Sequence, residues 1–384
     1  VMDSSSLKLN RAGESGGGMY VGSAVQVQGS NMLYSENLAS GSEGGGGAVY
    51  AEDGSLVSSV GDLYESNQAT QGSGGGLYVS GLADVACSSC VLKNNTAYLH
   101  GGALYTESWK VSLTDDSVVM NNVAETGDGG GLYSSSSTNL TLADVSFDQN
   151  QAVYVNAIDG AYGRGGAIAF SSAIEFSLEN VSIRKNKAIY GGGVYSPADT
   201  TVVIRHTIMD SNVASLSGGG LYANASSSLK AFDSIVRNNS ALSENGGGVY
   251  MITHRANGNP SALLSNLTFA DNRATAGAGG GIYRSGGVYV NVWNSSFWSN
   301  TGSEGGGLYL ADGSSNFANV SLISNHGVLY GGGLKVSGDE SLVMDSSSLK
   351  LNRAGESGGG MYVGSAVQVQ GSNMLYSENL ASGS

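Results

Sequence analysis

The chain has 384 residues, a formal net charge of −14 and only 17 Lys plus Arg, which argues against a nucleic-acid partner, whose phosphates need clustered cations. Gly accounts for 61 residues without falling at every third position, and Pro for only 2, so a collagen helix is excluded, while 40% hydrophobic residues argue against disorder. No apolar run approaches the roughly 20 residues of a membrane helix, and no membrane-spanning segment is expected.

Two phrases alternate along the chain. The first is Gly-Gly-x-aliphatic-Tyr: "GGGMY" at 16–20, "GGAVY" at 46–50, "GGGLY" at 74–78, "GGALY" at 101–105 and "GGGVY" at 191–195. The second is an apolar residue, two variable residues and Asn: "LKLN" at 7–10, "FDQN" at 147–150, "FADN" at 269–272 and "FWSN" at 297–300. From the anchor position to the next Asn the distance is 17 residues in ten of twelve units, as in Tyr20 to Asn37 and Tyr105 to Asn122; it is 16 after Tyr309 and 22 after Tyr250, where "THRANGNP" reads as an insertion. The stretch from Asn to the next anchor varies in length, so each unit has a fixed part and a variable loop.

Within the fixed part, short alternating or apolar runs such as "ALYT" (103–106), "VSLT" (111–114) and "VVM" (118–120) are separated by polar turns. A unit this short cannot bury its apolar side alone. Stacking the units covers it, with each strand pairing to its equivalents above and below. The expected fold is therefore all-β: a parallel β-helix, or solenoid, of about 28.5 residues per coil and three short parallel sheets.

The columns of the stack follow from alternation along a strand. The aliphatic residue before each anchor Tyr (Val49, Leu77, Leu104 and their equivalents) is expected inside, as is the residue three before the Asn (Tyr64, Leu92, Phe147). Tyr20, Tyr50, Tyr78, Tyr105, Tyr133, Tyr195, Tyr222, Tyr250, Tyr283 and Tyr309 then form an external Tyr column, with Ala169 and Lys335 in two of its places. That column is either an aromatic ladder stiffening one sheet or a platform on which sugars stack. Asn10, Asn37, Asn67, Asn95, Asn122, Asn150, Asn186, Asn212, Asn239, Asn272, Asn300, Asn325 and Asn352 are expected to form an internal Asn ladder bonded from coil to coil. The Gly pairs mark a sharp corner.

The phrases "GGAI" (165–168), "GGAL" (101–104) and "GGAV" (46–49), together with "FDQN", "FADN" and "FWSN", resemble the GGA(I/L/V) and FxxN repeats of the polymorphic outer membrane proteins of chlamydiae. The resemblance covers every unit. It implies a right-handed, pectin-lyase-like β-helix at the cell surface, and in that family the repeats form an adhesive passenger domain ahead of a membrane β-barrel; no barrel-like segment is present in this chain.

Residues 343–384 repeat residues 1–42 without a mismatch. Lys335, in the last anchor, lies 17 residues before Asn352, so the copy keeps the normal spacing. The domain reading is one β-helical repeat unit at 1–342 and the start of an identical next unit at 343–384, continuous with the first. The function this points to is structural: a segment of a tandem-repeat extracellular fibre, with further copies of the unit end to end as its partners. The alternatives are a surface adhesin or carbohydrate-binding stalk and, further off, a polysaccharide lyase or hydrolase.

Enzymes on such folds need carboxylates and cations converging on one groove. Asp115, Asp116, His100, Arg184 and Lys185 are the nearest approach, and their columns place them on different sides of the coil, so no catalytic residue is assigned. Cys87 and Cys90 ("CSSC") are read as a local disulfide, with two inert thiols as the alternative. No cofactor is assigned; Ca²⁺ at the acidic turn residues Glu14, Glu43, Glu125, Asp128, Glu244 and Glu304 is the alternative, and no metal ligand set is named. Asn-x-Ser/Thr sequons stand at Asn94, Asn139, Asn180, Asn224, Asn238, Asn266, Asn294 and Asn319. Asn180, Asn266, Asn294 and Asn319 each lie six residues before a ladder Asn, and Asn94 and Asn238 directly before one. Glycosylation there makes the chain a secreted or cell-surface glycoprotein; the alternative is sequons arising by chance on polar turns.

Overall fold

A Gly-rich anchor, a run of brief strands and a ladder Asn make one coil, and the coils stack. The computed structural model describes residues 1–383 apart from 43, 109, 136–138, 154–162, 173–174, 225–226, 253–260 and the side chain of residue 139. The inserted "THRANGNP" and Glu43 therefore lie outside the described residues. Among the described residues there is no helix, and within each of the chain's two compact units the strands pair in parallel with their equivalents in the next coil. Among the described residues no helix is long and apolar enough to cross a membrane.

Each coil contributes to four sheets rather than the expected three. In the coil that begins at Leu77 the strands are Leu77–Val79, Asp84–Ser88, Val91–Lys93 and Thr96–Ala97. The fourth member is the two-residue strand just after the ladder Asn. It is too short to show any alternation, which is why periodicity did not reveal it. Its second residue is a buried Ala in coil after coil, including Ala69, Ala97 and Ala124.

The chain divides into two compact units, residues 1–189 with 193–195 and residues 190–192 with 196–384. In the first, the registers Tyr34↔Tyr64, Leu77↔Leu104 and Val119↔Phe147 stack like positions on like positions. In the second, Leu221↔Val249, Phe269↔Phe297 and Leu308↔Leu334 do the same. The two expected core columns are buried: Val49, Leu104, Ile168 and Leu308 in one, Tyr64, Leu92, Phe147 and Phe297 in the other.

The corners explain the rest of the pattern. Gly74 turns the chain at φ +67°, in the left-handed region open to Gly, and a Cβ on Gly75 would lie 2.3 Å from the carbonyl oxygen of Gly102 in the next coil. Two further left-handed corners bracket the third strand of the coil, and these are not made by Gly alone. Ser89 (φ 54°) and Asn94 (φ 57°) flank Val91–Lys93, and Asn266 (φ 55°) and Asp271 (φ 53°) flank Thr268–Ala270. Asn and Asp tolerate this region better than other side chains, which accounts for their frequency there.

The copied segment folds as its original does. Ser348–Lys350, Arg353–Ala354, Met361–Val363, Gln368–Ser372, Leu375–Ser377 and Leu380–Ala381 match the strands at 6–8, 11–12, 19–21, 26–30, 33–35 and 38–39. It stacks in register on the coil before it, through Leu322↔Leu349, His326↔Arg353 and Lys335↔Tyr362.

Candidate functional site

The features that bear on function run along the stack as columns. The Asn ladder is the most regular. Asn95 Nδ2 donates to Asn122 Oδ1 (3.0 Å) in the next coil and to the carbonyl of Tyr64 (3.0 Å) in the previous one, and its backbone N–H donates to the same Asn122 oxygen (2.9 Å). The pattern holds in the first unit from Asn10 through Asn37, Asn67, Asn95, Asn122 and Asn150 to Asn186. In the second it runs through Asn212, Asn239, Asn272, Asn300, Asn325 and Asn352 and adds Asn379, the copy of Asn37. Each amide thus saturates a corner that the sheet ladders leave unpaired.

A second, intermittent ladder was not read from the sequence. Just after the first non-Gly corner, a side-chain oxygen of one coil accepts the backbone N–H of the coil before it. Ser117 does this for Cys90 (3.1 Å), Ser234 for Thr207 (3.0 Å), Ser295 for Leu267 (3.1 Å) and Ser347 for Val320 (3.0 Å). Asp62 does it for Met32 (2.9 Å), but its second oxygen, buried, has no partner among the described residues. Burial pushes the Asp62 carboxyl above the usual range. The recurring Ser was the available signal, masked by how common Ser is in turns.

The Tyr column stacks face to face. Ring centres are 5.1 Å apart for Tyr20–Tyr50, 4.9 Å for Tyr50–Tyr78, 4.6 Å for Tyr78–Tyr105 and 5.6 Å for Tyr105–Tyr133. In the second unit Tyr222, Tyr250, Tyr283 and Tyr309 continue in the same manner at 4.7–5.2 Å. The expectation of an exposed column needs correction. Tyr20 is 52% exposed, but Tyr78, Tyr133, Tyr195 and Tyr250 are buried and Tyr50, Tyr105, Tyr222, Tyr283 and Tyr309 only half-exposed. Each ring covers its neighbour, and the variable loops fold back over the column: His100 stacks on Tyr133 at 4.4 Å, Tyr190 meets Tyr222 edge-on at 5.3 Å, and Arg164 lies over Tyr195 at 4.8 Å. Burial pushes the phenols of Tyr105 and Tyr250 up to about 12.

Lys335 stands in the place of a Tyr. Its Nζ is 5.3 Å from the ring centre of Tyr309, 5.5 Å from Tyr362 and 5.2 Å from the loop residue Tyr330, and 2.6 Å from Glu304 Oε2. The cation thus joins the column to the first Tyr of the copy.

Cys87 and Cys90 are free thiols in the structure, both buried, which departs from the expected disulfide. Cys87 faces inward from the strand Asp84–Ser88, and Cys90 follows the corner at Ser89 with its thiol directed at the carbonyl of Ser59 (3.5 Å). The hydrogen bond with the neighbouring Cys90 thiol, and then burial, push the Cys87 pKa up, the setting of an inert cysteine.

The candidate catalytic groups do not converge. Asp115 and Asp116 form the turn between Lys110–Thr114 and Ser117–Met120, where Asp115 accepts from Ser88 and Thr114. Arg184 ends the strand Ser182–Arg184 and Lys185 is the corner after it. His100 lies in a loop, and its Nδ1 accepts the backbone N–H of Asp128 (3.0 Å); burial lowers its pKa, so the imidazole is neutral near pH 7. Of the acidic turn residues, Asp128 binds Arg164, Glu244 accepts from Ser217 (2.7 Å) and Glu304 pairs with Lys335.

Six sequon residues, Asn94, Asn180, Asn238, Asn266, Asn294 and Asn319, are exposed and sit at the left-handed corners. Asn224 is half-buried, and the side chain of Asn139 lies outside the described residues.

Arg284 and Glu340 were missed. Both are buried in the second unit, and Arg284 replaces the small or aliphatic residue of its column. Gly313 makes room for it, since a Cβ there would lie 2.5 Å from Nη1.

Comparison of the chain with protein-family models, curated proteins and solved structures gives no match. The functional reading therefore rests on the sequence and the geometry above.

Proposed function

We propose that the chain is a segment of a tandem-repeat, extracellular β-helical fibre, glycosylated and not an enzyme. One observation carries this reading: the copy at 343–384 stacks on the preceding coil with the bonding used everywhere else. Asn325 Nδ2 donates to Asn352 Oδ1 at 3.0 Å across the join, and Asn352 to Asn379 at 2.9 Å, as Asn10 does to Asn37 at 2.8 Å. A sequence that restarts without disturbing its ladder suits end-to-end repetition more than a finite binding module. The likeness of the phrases to those of the chlamydial surface proteins supports a place outside the cell. The separation of Asp115, His100 and Arg184 onto different corners supports a non-catalytic role.

The test is a chain carrying residues 1–342 twice in tandem. Electron micrographs should show particles longer by about 58 Å, twelve coils at roughly 4.8 Å each. Particles of unchanged length, or separate globules, would overturn the fibre and favour a finite adhesin stalk.

A further inference from the structure

The exposed sequon residues are not equivalent. Asn180 Nδ2 donates to Asp144, Asn266 Nδ2 to Asp233, Asn319 Nδ2 to Asn294 and Asn238 Nδ2 to Asp210, each in the preceding coil. At these four the nitrogen that would carry a sugar is directed along the stack and engaged. Asn294 is held the other way round: its Oδ1 accepts from Asn319 (3.0 Å), and its nitrogen has no protein partner among the described residues.

Its surroundings differ as well. Trp293, directly before it, is 36% exposed at the end of the strand Tyr289–Trp293, and Trp298, 42% exposed, ends the strand Ser296–Trp298. The register neighbours of Trp293 are Ser265 and Ala318, too small to cover an indole face. Trp298 lies four residues beyond Asn294, within about 13 Å even for an extended chain. The Tyr column covers most of its rings by stacking them, whereas these two indoles stand partly open near a free amide. Indole faces bind the C–H face of a sugar ring, burying apolar area without loss of the sugar's hydroxyl hydrogen bonds.

We propose that Asn294 is the attachment point of an N-linked glycan whose first sugar lies on Trp293, with Trp298 within reach of the next. This rests on the glycosylated reading given above. Asn94 supplies an internal comparison, because it is exposed at a corner and Lys93, not an aromatic residue, directly precedes it.

The full 384-residue chain, secreted from eukaryotic cells behind a leader peptide, tests this by glycopeptide mass mapping and by acrylamide quenching of Trp fluorescence. The expected result is a glycan on Asn294 and quenching at least about twofold weaker than in Asn294→Gln, with the difference abolished in Trp293→Ala. Trp293→Ala changes an exposed side chain and leaves the fold to be checked by circular dichroism. Sugar on Asn180, Asn238 or Asn266 with Asn294 bare would overturn the assignment while keeping the glycoprotein reading. Occupied Asn294 with unchanged quenching would overturn the Trp contact. A chain bare at every sequon would overturn both readings together.

Discussion

Arg284 and Glu340, 56 positions apart, face each other through a two-pronged ion pair of 2.5 and 2.7 Å, sealed from solvent inside the second unit. Arg284 also donates to the carbonyl of Ala311 (2.7 Å) and to Ser315 Oγ (2.6 Å), so its side chain ties its own coil to the two that follow. Glu340→Gln should destabilise the second unit by about 3 kcal/mol, because it leaves a buried guanidinium without its countercharge. Arg284→Met combined with Glu340→Leu should recover most of that loss. Urea melts of the three variants check the order.

The Asn ladder should be intolerant in its interior and forgiving at its first rung. Asn122→Ala removes the acceptor of Asn95 and strands the carbonyl of Leu92, at a cost of roughly 3 kcal/mol. Asn10→Ala, at a half-buried position, should cost about a third as much. Equal losses in thermal melts would contradict a ladder whose strength comes from burial.

Asp62 gives a pH dependence of definite sign. Its folded-state pKa is raised by burial, so the folded chain holds the proton more tightly than the unfolded one. The contribution to stability is complete below the ordinary carboxyl pKa of about 3.9 and is lost as pH rises through the folded value. Asp62→Ser, the residue used at Ser117 and Ser234 for the same backbone bond, should raise stability at pH 7 and flatten the loss of stability above the ordinary carboxyl pKa of about 3.9. A variant less stable than the parent at pH 7 would count against the orphaned oxygen.

Lys335 is needed for continuity of the aromatic column. Lys335→Ala should lower stability by about 1 kcal/mol, from lost cation–π contact with Tyr309 and Tyr362, and Lys335→Tyr should restore most of it by rebuilding the stack. Differential scanning calorimetry distinguishes the two.

Cys87 and Cys90 should resist alkylation by iodoacetamide in the native chain and react fully in urea. A mass that rises by two hydrogens on reduction would instead restore the disulfide.

Much of this architecture was legible because each coil meets its neighbours at equivalent positions, so a column in space is a period in the sequence. The core residues before each Tyr, the Asn ladder and the in-register stacking of 343–384 all follow from that equivalence. What the period does not carry, only the folded chain decided. The two-residue strands at Thr96–Ala97 and its equivalents are too short for alternation to register. The Tyr rings are covered because loops of irregular length return over them, bringing His100 onto Tyr133 and Tyr330 onto Lys335. The Arg284–Glu340 pair breaks the period twice, two coils apart, and nothing local to either residue announces the other. Repeated contacts are written at every coil and can be read from any of them, whereas an aperiodic contact exists only where the stack happens to bring its two halves together.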